Sequence, residues 1–78
     1  MESADVQRRI ESGISGARAR VSEFSGGTDH YSVVVVSDAF KGQPLLKRHR
    51  MVMDLFSEEI ATGEVHALTI KALTPDQE

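Results

Sequence analysis

A chain of 78 residues has room for one domain but not for two, since domains typically contain at least about 50 residues. Its 40% hydrophobic and 27% charged residues are those of an ordinary soluble globular protein, while its net charge of −3 argues against general electrostatic attraction to nucleic acid or anionic membranes. The chain contains no cysteine, which excludes a disulfide and any zinc or iron–sulfur site held by thiolates of this chain alone.

The first predicted elements are a short helix and a strand. Val6, Ile10 and Ile14 recur with the helical period, which predicts an amphipathic helix over residues 3–14. Apolar residues that alternate with arginines over residues 17–24 then predict a strand.

A glycine-rich turn and a second strand come next. Residues 25–29 read Ser-Gly-Gly-Thr-Asp, a composition that tolerates the left-handed backbone conformations of tight turns. Residues 31–37 include four consecutive valines, which are β-branched and apolar on both faces. This pattern is typical of the central strand of a small sheet.

The second half of the chain predicts a longer helix over residues 44–61 and a last strand over residues 64–73. Pro44 fits the first helical position, where its missing N–H costs nothing. Phe40 is also expected in the core, and the predicted apolar stripe of the helix with its margin consists of Leu45, Val52, Phe56, Ile60, Leu46 and Met53. His49 lies on this stripe, so we interpret it as a structural, partly buried imidazole.

The order α-β-β-α-β predicts an α+β fold formed by one domain over residues 1–78. A hairpin pairs its strands antiparallel, whereas a strand–helix–strand crossover favours a parallel pair. We therefore expect a three-stranded mixed sheet with the helices packed on one face.

Candidate binding residues are two histidines and a basic cluster. Taken alone, His30 is a solvent-exposed turn residue and His66 a half-buried residue at a strand end. The basic cluster consists of Lys41, Lys47, Arg48 and Arg50, and it is either a solvated face or a binding surface for an acidic protein or nucleic acid. The sequence shows no nucleophile–base pair and no phosphate loop, so an enzyme is not expected.

Three stretches of the chain carry a resemblance to a known family. Residues 37–51 read SDAFKGQPLLKRHRM, His66-Ala67-Leu68 opens the last strand, and Thr-Pro-Asp-Gln follows at residues 74–77. In order and identity these stretches resemble the BolA family, from about residue 21 to residue 77. The resemblance implies a type II KH-like fold, in agreement with the predicted topology.

The resemblance also implies a cofactor and a partner. In BolA-like proteins the histidine at the position of His66 ligates a [2Fe–2S] cluster shared with a monothiol glutaredoxin of the CGFX type, and the loop at His30 supplies a second candidate ligand. The glutaredoxin cysteine and glutathione would supply sulfur, and no cluster would be held by this chain alone. The implied function is a non-enzymatic adaptor for iron–sulfur trafficking or iron sensing.

Two alternatives to the shared cluster stay open. One is a small nucleic-acid-binding transcriptional regulator that uses the basic cluster, although Lys41-Gly42-Gln43-Pro44 lacks the second glycine of a KH-type GXXG loop. The other is a scaffold that binds glutaredoxin without a cluster. No apolar run reaches the roughly 20 residues of a membrane span and no secretory signal is visible, so the expected location is the cytoplasm, with nucleus and mitochondrion as alternatives.

Overall fold

The computed structural model of the chain describes residues 2–23, 30–65 and 67–78. The helices and strands, in chain order, are α1 (Ser3–Gly13), β1 (Arg18–Glu23), β2 (His30–Val36), α2 (Leu45–Met53), α3 (Ser57–Thr62) and β3 (Ala67–Leu73). Short 3-10 turns lie at Asp38–Phe40, Asp54–Phe56 and Pro75–Gln77. The predicted order α-β-β-α-β is confirmed, whereas the predicted turn at residues 25–29 lies outside the described residues.

The three strands form one mixed sheet in the order β1-β2-β3. β1 and β2 are antiparallel, and Arg18 pairs with Val36. β2 and β3 are parallel, from the pair His30 and Ala67 at one end to the pair Val36 and Leu73 at the other. The valine strand is therefore central, as predicted, and β2 and β3 begin at the same end of the sheet.

The hydrophobic core lies between the helices and one face of the sheet. Tyr31, Val33 and Val35 alternate along β2 and are buried, while Ser32 and Val34 between them are only partly buried. The core cluster also includes Val6, Ile10, Phe40, Val52, Phe56 and Val65 from the other elements. The helices thus cover one face and leave the other open, which confirms the predicted arrangement and the core positions of Phe40 and Phe56.

The long helix predicted over residues 44–61 is divided into α2 and α3 by a 3-10 turn. Phe56 has φ −121° and ψ 20°, outside the helical region, and its side chain is fully buried. The carbonyl of Leu55 accepts a hydrogen bond from Arg9 Nη1 at 3.1 Å. The break therefore seats an aromatic side chain in the core and places a carbonyl where α1 can bind it.

The end of α1 approaches this break closely. A Cβ atom at Gly13 would lie 2.5 Å from Cδ2 of Leu55, so glycine permits the observed contact between the two elements. Ile14, which the sequence places on the same stripe as Val6 and Ile10, is buried as expected.

The predicted apolar stripe of the second helix is only partly correct. Val52 and Phe56 are buried, but Leu45 and Leu46 are 66% and 67% exposed and Ile60 is 37% exposed. The first turn of α2 therefore presents its leucines to solvent. Within the described residues, no helix is both long enough and apolar enough to cross a bilayer.

Candidate functional site

His30 is the first residue of the central strand. Its side chain is partly exposed, and its Cα is paired with that of Ala67 at the start of β3. Its sequence context predicts an exposed turn residue; instead the residue belongs to β2, and its backbone is paired with β3.

The predicted ligand His66 lies outside the described residues. The residue that follows it in sequence, Ala67, opens β3 and is the register partner of His30. One predicted ligand, His30, therefore pairs with Ala67, and the other, His66, directly precedes Ala67 in sequence. No cluster of three or more histidine, cysteine, aspartate or glutamate residues suited to a metal occurs in the part of the chain that is described.

Arg48 differs most from its predicted role. The sequence analysis placed it in the exposed basic cluster, but the residue is only 9% exposed. Its Nε donates to the carbonyl of Gln43 at 2.9 Å, and its Nη1 donates to the carbonyl of Ala72 at 3.2 Å and to Oε1 of Gln77 at 3.1 Å. The guanidinium is therefore hydrogen-bonded inside the protein, so the expectation that Arg48 is exposed is wrong, and its role in partner binding stays a prediction.

His49 is exposed, so the prediction of a partly buried, structural imidazole is also wrong. Positions 48 and 49 lie four and three residues before Val52, and either spacing can place a side chain on the buried side of a helix. Arg48 takes the inward position because the end of β3 and the following turn supply oxygen acceptors for its cation.

The other members of the basic cluster, Lys41, Lys47 and Arg50, are exposed as predicted. Lys41 forms an exposed ion pair with Asp38 at 3.4 Å. Lys47 and Arg50 form no ion pair within the described residues, so their charges are available to a partner.

These two cations line a shallow groove of about 390 Å³ on α2. The residues of this α2 groove are Pro44, Leu46, Lys47, Arg50, Met51 and Asp54. Pro44 caps α2 without a side-chain hydrogen bond, and Lys47 is the third residue of the helix. A cation in the first turn opposes the helix dipole at a cost of about 0.3–1 kcal/mol, so Lys47 does not serve to stabilise the helix.

The predicted site residues fall into two groups near opposite ends of the sheet. His30 and Ala67 mark the end at which β2 and β3 begin. Arg48, next to Lys47 in α2, contacts Ala72, which lies five residues further along β3, or about 16 Å at the usual rise of a strand. Arg48 therefore lies toward the opposite end of β3 from His30.

A buried arginine is the functional feature that sequence reasoning missed. Arg48, Val52 and Phe56 recur every four residues, so the helical period itself marked position 48 as inward-facing. A charged residue at an inward position is unusual unless acceptors surround it, and this signal could have separated Arg48 from Lys47 and Arg50.

Comparison with known proteins gives consistent matches. A sequence model of a family described as BolA-like protein matches residues 9–77. The chain is 40% identical over 81 residues to BolA-like protein 1 of Mus musculus, with 95% of this chain and 58% of that protein covered. It is 44% identical over 50 residues to the DNA-binding transcriptional regulator BolA of Escherichia coli (strain K12), with 64% of this chain and 47% of that protein covered.

The fold is also shared with a solved structure. BolA1 from Arabidopsis thaliana superposes with a TM-score of 0.84 at 29% identity, covering 97% of this chain and 94% of that one. The chain spans about half the length of the two curated relatives, at 58% and 47%. The family model extends over both the sheet end that carries His30 and the groove on α2.

Proposed function

This chain belongs to the BolA family, and from that premise we propose that it is a non-enzymatic adaptor that binds a monothiol glutaredoxin and shares a glutathione-bound [2Fe–2S] cluster with it. The observation that supports this proposal most directly is the position of His30. It begins the central strand with a partly exposed side chain, and its register partner Ala67 directly follows His66 in sequence.

The donor chemistry of the chain fits a shared cluster. A protein without cysteine can complete the ligand shell of an iron–sulfur cluster only with nitrogen or oxygen, and imidazole is an established iron ligand. His30 and His66 would supply nitrogen, while the glutaredoxin cysteine and glutathione would supply sulfur. The cluster is cargo that the two proteins hold together.

The α2 groove is the proposed docking surface for the glutaredoxin. Lys47 and Arg50 have no ion-pair partner among the described residues, and Leu46 beside them is exposed. Exposed cations next to an apolar side chain suit an acidic surface with a hydrophobic contact, because complementary charge guides the encounter and apolar burial adds affinity.

Visible circular dichroism tests the shared cluster. The protein is titrated into cluster-loaded monothiol glutaredoxin with glutathione, and the wild type is compared with His66→Ala, His30→Ala and His49→Ala. We expect a new spectrum that is complete at a stoichiometric ratio and lost in His66→Ala. His30→Ala should alter the spectrum, whereas His49→Ala, which removes an exposed imidazole from α2, should leave it unchanged.

Two outcomes would contradict the proposal. An unchanged glutaredoxin spectrum on addition of wild type would show that no cluster is shared. If calorimetry still detected binding of the two proteins, this chain would be a scaffold that binds glutaredoxin without a cluster. A spectrum that responds equally to all three histidine variants would show that the change does not report ligation.

Nucleic-acid binding is a second candidate, favoured by the exposed Lys47 and Arg50, which form no ion pair with any described residue, and by the relative described as a DNA-binding transcriptional regulator. The burial of Arg48 weakens it, because one of the four predicted phosphate contacts is committed inside the protein. A duplex DNA titration distinguishes the two candidates, since the logarithm of the affinity falls with the logarithm of salt concentration by about 0.9 per phosphate contact.

A further inference from the structure

The face of the sheet that the helices leave open has an uneven charge. The strand register assigns to it every second residue of each strand, namely Arg18, Arg20, Ser22, His30, Ser32, Val34, Thr69, Lys71 and Leu73, while Val36 at the same parity is buried. Three of these residues are cationic and none is acidic, although the whole chain carries a net charge of −3. We call Arg18, Arg20 and Lys71 the cationic sheet face.

Two rows of side chains cross the open face. Arg20 and Lys71 lie on either side of Val34, so two cations flank one small apolar residue. The neighbouring row contains only hydroxyl side chains, Ser22, Ser32 and Thr69. Both rows therefore offer hydrogen-bond donors, and Arg20 and Lys71 form no ion pair within the described residues.

One carboxylate already binds this face. Oε1 of Glu78 accepts a hydrogen bond from Nη2 of Arg18, and the two residues form an ion pair. Arg20, two residues further along β1, carries the same guanidinium group but has no carboxylate partner in the described part of the chain. The contact shows that this face can bind a carboxylate, and Glu78 occupies the end of the face at Arg18.

We propose that the cationic sheet face is a docking surface for an extended acidic segment of another protein. Residues two apart in a strand lie about 6.6 Å apart, so Arg18 and Arg20 match alternate carboxylates of an extended chain that runs parallel to β1. In the hydroxyl row, Ser32 and Thr69 supply additional donors to carboxylate oxygens, whereas the hydroxyl of Ser22 already donates to the carbonyl of Ser32 at 3.4 Å. Glu78 competes with the incoming segment for Arg18. This docking surface is independent of cluster sharing.

A protein segment suits the face better than a nucleic acid. Single-stranded nucleic acids bind to sheet surfaces largely by stacking bases on aromatic side chains. Among the described residues, none of the open-face positions carries an aromatic side chain, and Tyr31 faces the core and is fully buried. The described part of the face thus offers charge and hydroxyl donors without a stacking platform.

Fluorescence anisotropy with a labelled peptide of alternating glutamate and threonine tests the proposal. A peptide with glutamine in place of each glutamate serves as the uncharged control, and labelled single-stranded and duplex oligonucleotides test the competing ligand. We expect the acidic peptide to bind at low ionic strength, with an affinity that falls as salt is added. Neither the uncharged peptide nor the oligonucleotides should bind at comparable concentration.

Three variants locate the binding. Arg20→Gln combined with Lys71→Gln should raise Kd at least about fivefold, since two exposed ion pairs are lost. Arg8→Gln combined with Lys41→Gln changes the net charge equally at exposed positions outside both this face and the α2 groove, and it should change Kd less than about twofold. Glu78→Gln should tighten binding because it releases Arg18.

Several results would overturn the proposal. Absence of peptide binding would exclude the docking surface, and an equal loss in both double variants would show that only net charge matters. Oligonucleotide binding that depends on Arg20 and Lys71 would assign the face to nucleic acid instead. All five substituted residues are exposed, and melting curves would confirm that the variants are folded.

Discussion

Arg48 connects three segments of the chain through neutral acceptors. It contacts the connection before α2 through Gln43, the end of β3 through Ala72, and the last turn through Gln77. Its guanidinium also lies 6.0 Å from the ring centroid of Phe40. Because each acceptor is a carbonyl or amide oxygen, the arginine acts as a hydrogen-bonding hub, and no described residue neutralises its charge through a direct ion pair.

Substitution of Arg48 should therefore reduce stability. Arg48→Met keeps most of the apolar stem but removes the donors to the buried carbonyl of Ala72 and to Gln77, which should cost about 2–3 kcal/mol. For a domain of this size each kcal/mol lowers Tm by about 4–8 °C. Arg50→Met, at an exposed position of the same helix, should change stability by less than about 0.5 kcal/mol.

Urea unfolding followed by far-ultraviolet circular dichroism measures both variants. Equal stability of the two methionine variants would show that the contacts of Arg48 contribute nothing net to the folded state. A loss in both would indicate instead that positive charge on α2 is what stabilises the protein.

At the residue scale, the sequence predicts which aromatic side chains are buried better than it predicts which polar or charged side chains are buried. Phe40 and Phe56 were assigned to the core correctly because large apolar side chains gain free energy on burial in almost any fold. Arg48 and His49 were assigned incorrectly because both lie on the boundary of the helical stripe. Only the tertiary acceptors at Ala72 and Gln77 decide between them, and these residues lie more than 20 positions away in sequence.

At the element scale, α1 is held against the break between α2 and α3 by Arg9. Its Nη1 donates to Oε1 of Glu59 at 2.6 Å and to the carbonyl of Leu55 at 3.1 Å. Its guanidinium carbon lies 5.3 Å from the ring centroid of Phe56. The hydrogen bond from Arg9, together with the hydrogen bond of the carboxylate to its own backbone, lowers the pKa of Glu59 below its ordinary value.

This contact predicts a stability that depends on pH. Because the folded-state pKa of Glu59 is lowered, its contribution is complete above the ordinary pKa of a glutamate and is lost as pH falls through the folded-state pKa. Glu59→Gln should therefore destabilise the protein near neutral pH, and the difference from wild type should shrink in acid.

A double-mutant cycle isolates the contact, with Arg9→Gln and Glu59→Gln measured by urea unfolding at neutral and acid pH. The exposed pair of Arg8 with Asp5, also at 2.6 Å, serves as the matched control. The Arg9–Glu59 coupling should be the larger one, since Glu59 is only 15% exposed. Equal couplings, or a Glu59 effect that persists unchanged in acid, would contradict this account.

The sequence identified the elements but not the break in the second helix. Periodicity and turn residues located α1, the strands and the end of α3 at Gly63, where φ is +84°. No glycine or proline marks the break at Asp54–Phe56. It arises from packing, because Phe56 enters the core and Leu55 meets both Gly13 and Arg9.

At the scale of the whole molecule, the topology follows from the order of the elements. A short connection between β1 and β2 produces an antiparallel pair, and the crossover through α2 and α3 produces a parallel one, so the chain order was sufficient to predict the sheet. The separation of the candidate sites was not predicted, because it depends on where Arg48 secures α2 against β3.

That separation predicts that docking and cluster ligation can be changed independently. Lys47→Gln combined with Arg50→Gln should weaken binding to apo-glutaredoxin by about five- to tenfold, because the α2 groove loses two cations that have no ion-pair partner in the described part of the chain. The visible spectrum at saturating protein should stay that of wild type. His30→Ala should change the spectrum and leave the affinity for apo-glutaredoxin within about twofold, as expected for a residue outside the docking surface.

Calorimetry with apo-glutaredoxin and circular dichroism with the cluster-loaded form measure the two properties separately. Arg20→Gln combined with Lys71→Gln is the matched control, since it removes the same charge from the open face of the sheet. If this control weakened glutaredoxin binding as much as the α2 variant, the sheet face would be part of the interface. If His30→Ala abolished binding of the apo-protein, the end of the sheet at His30 would dock the partner, and two separate sites would no longer describe the molecule.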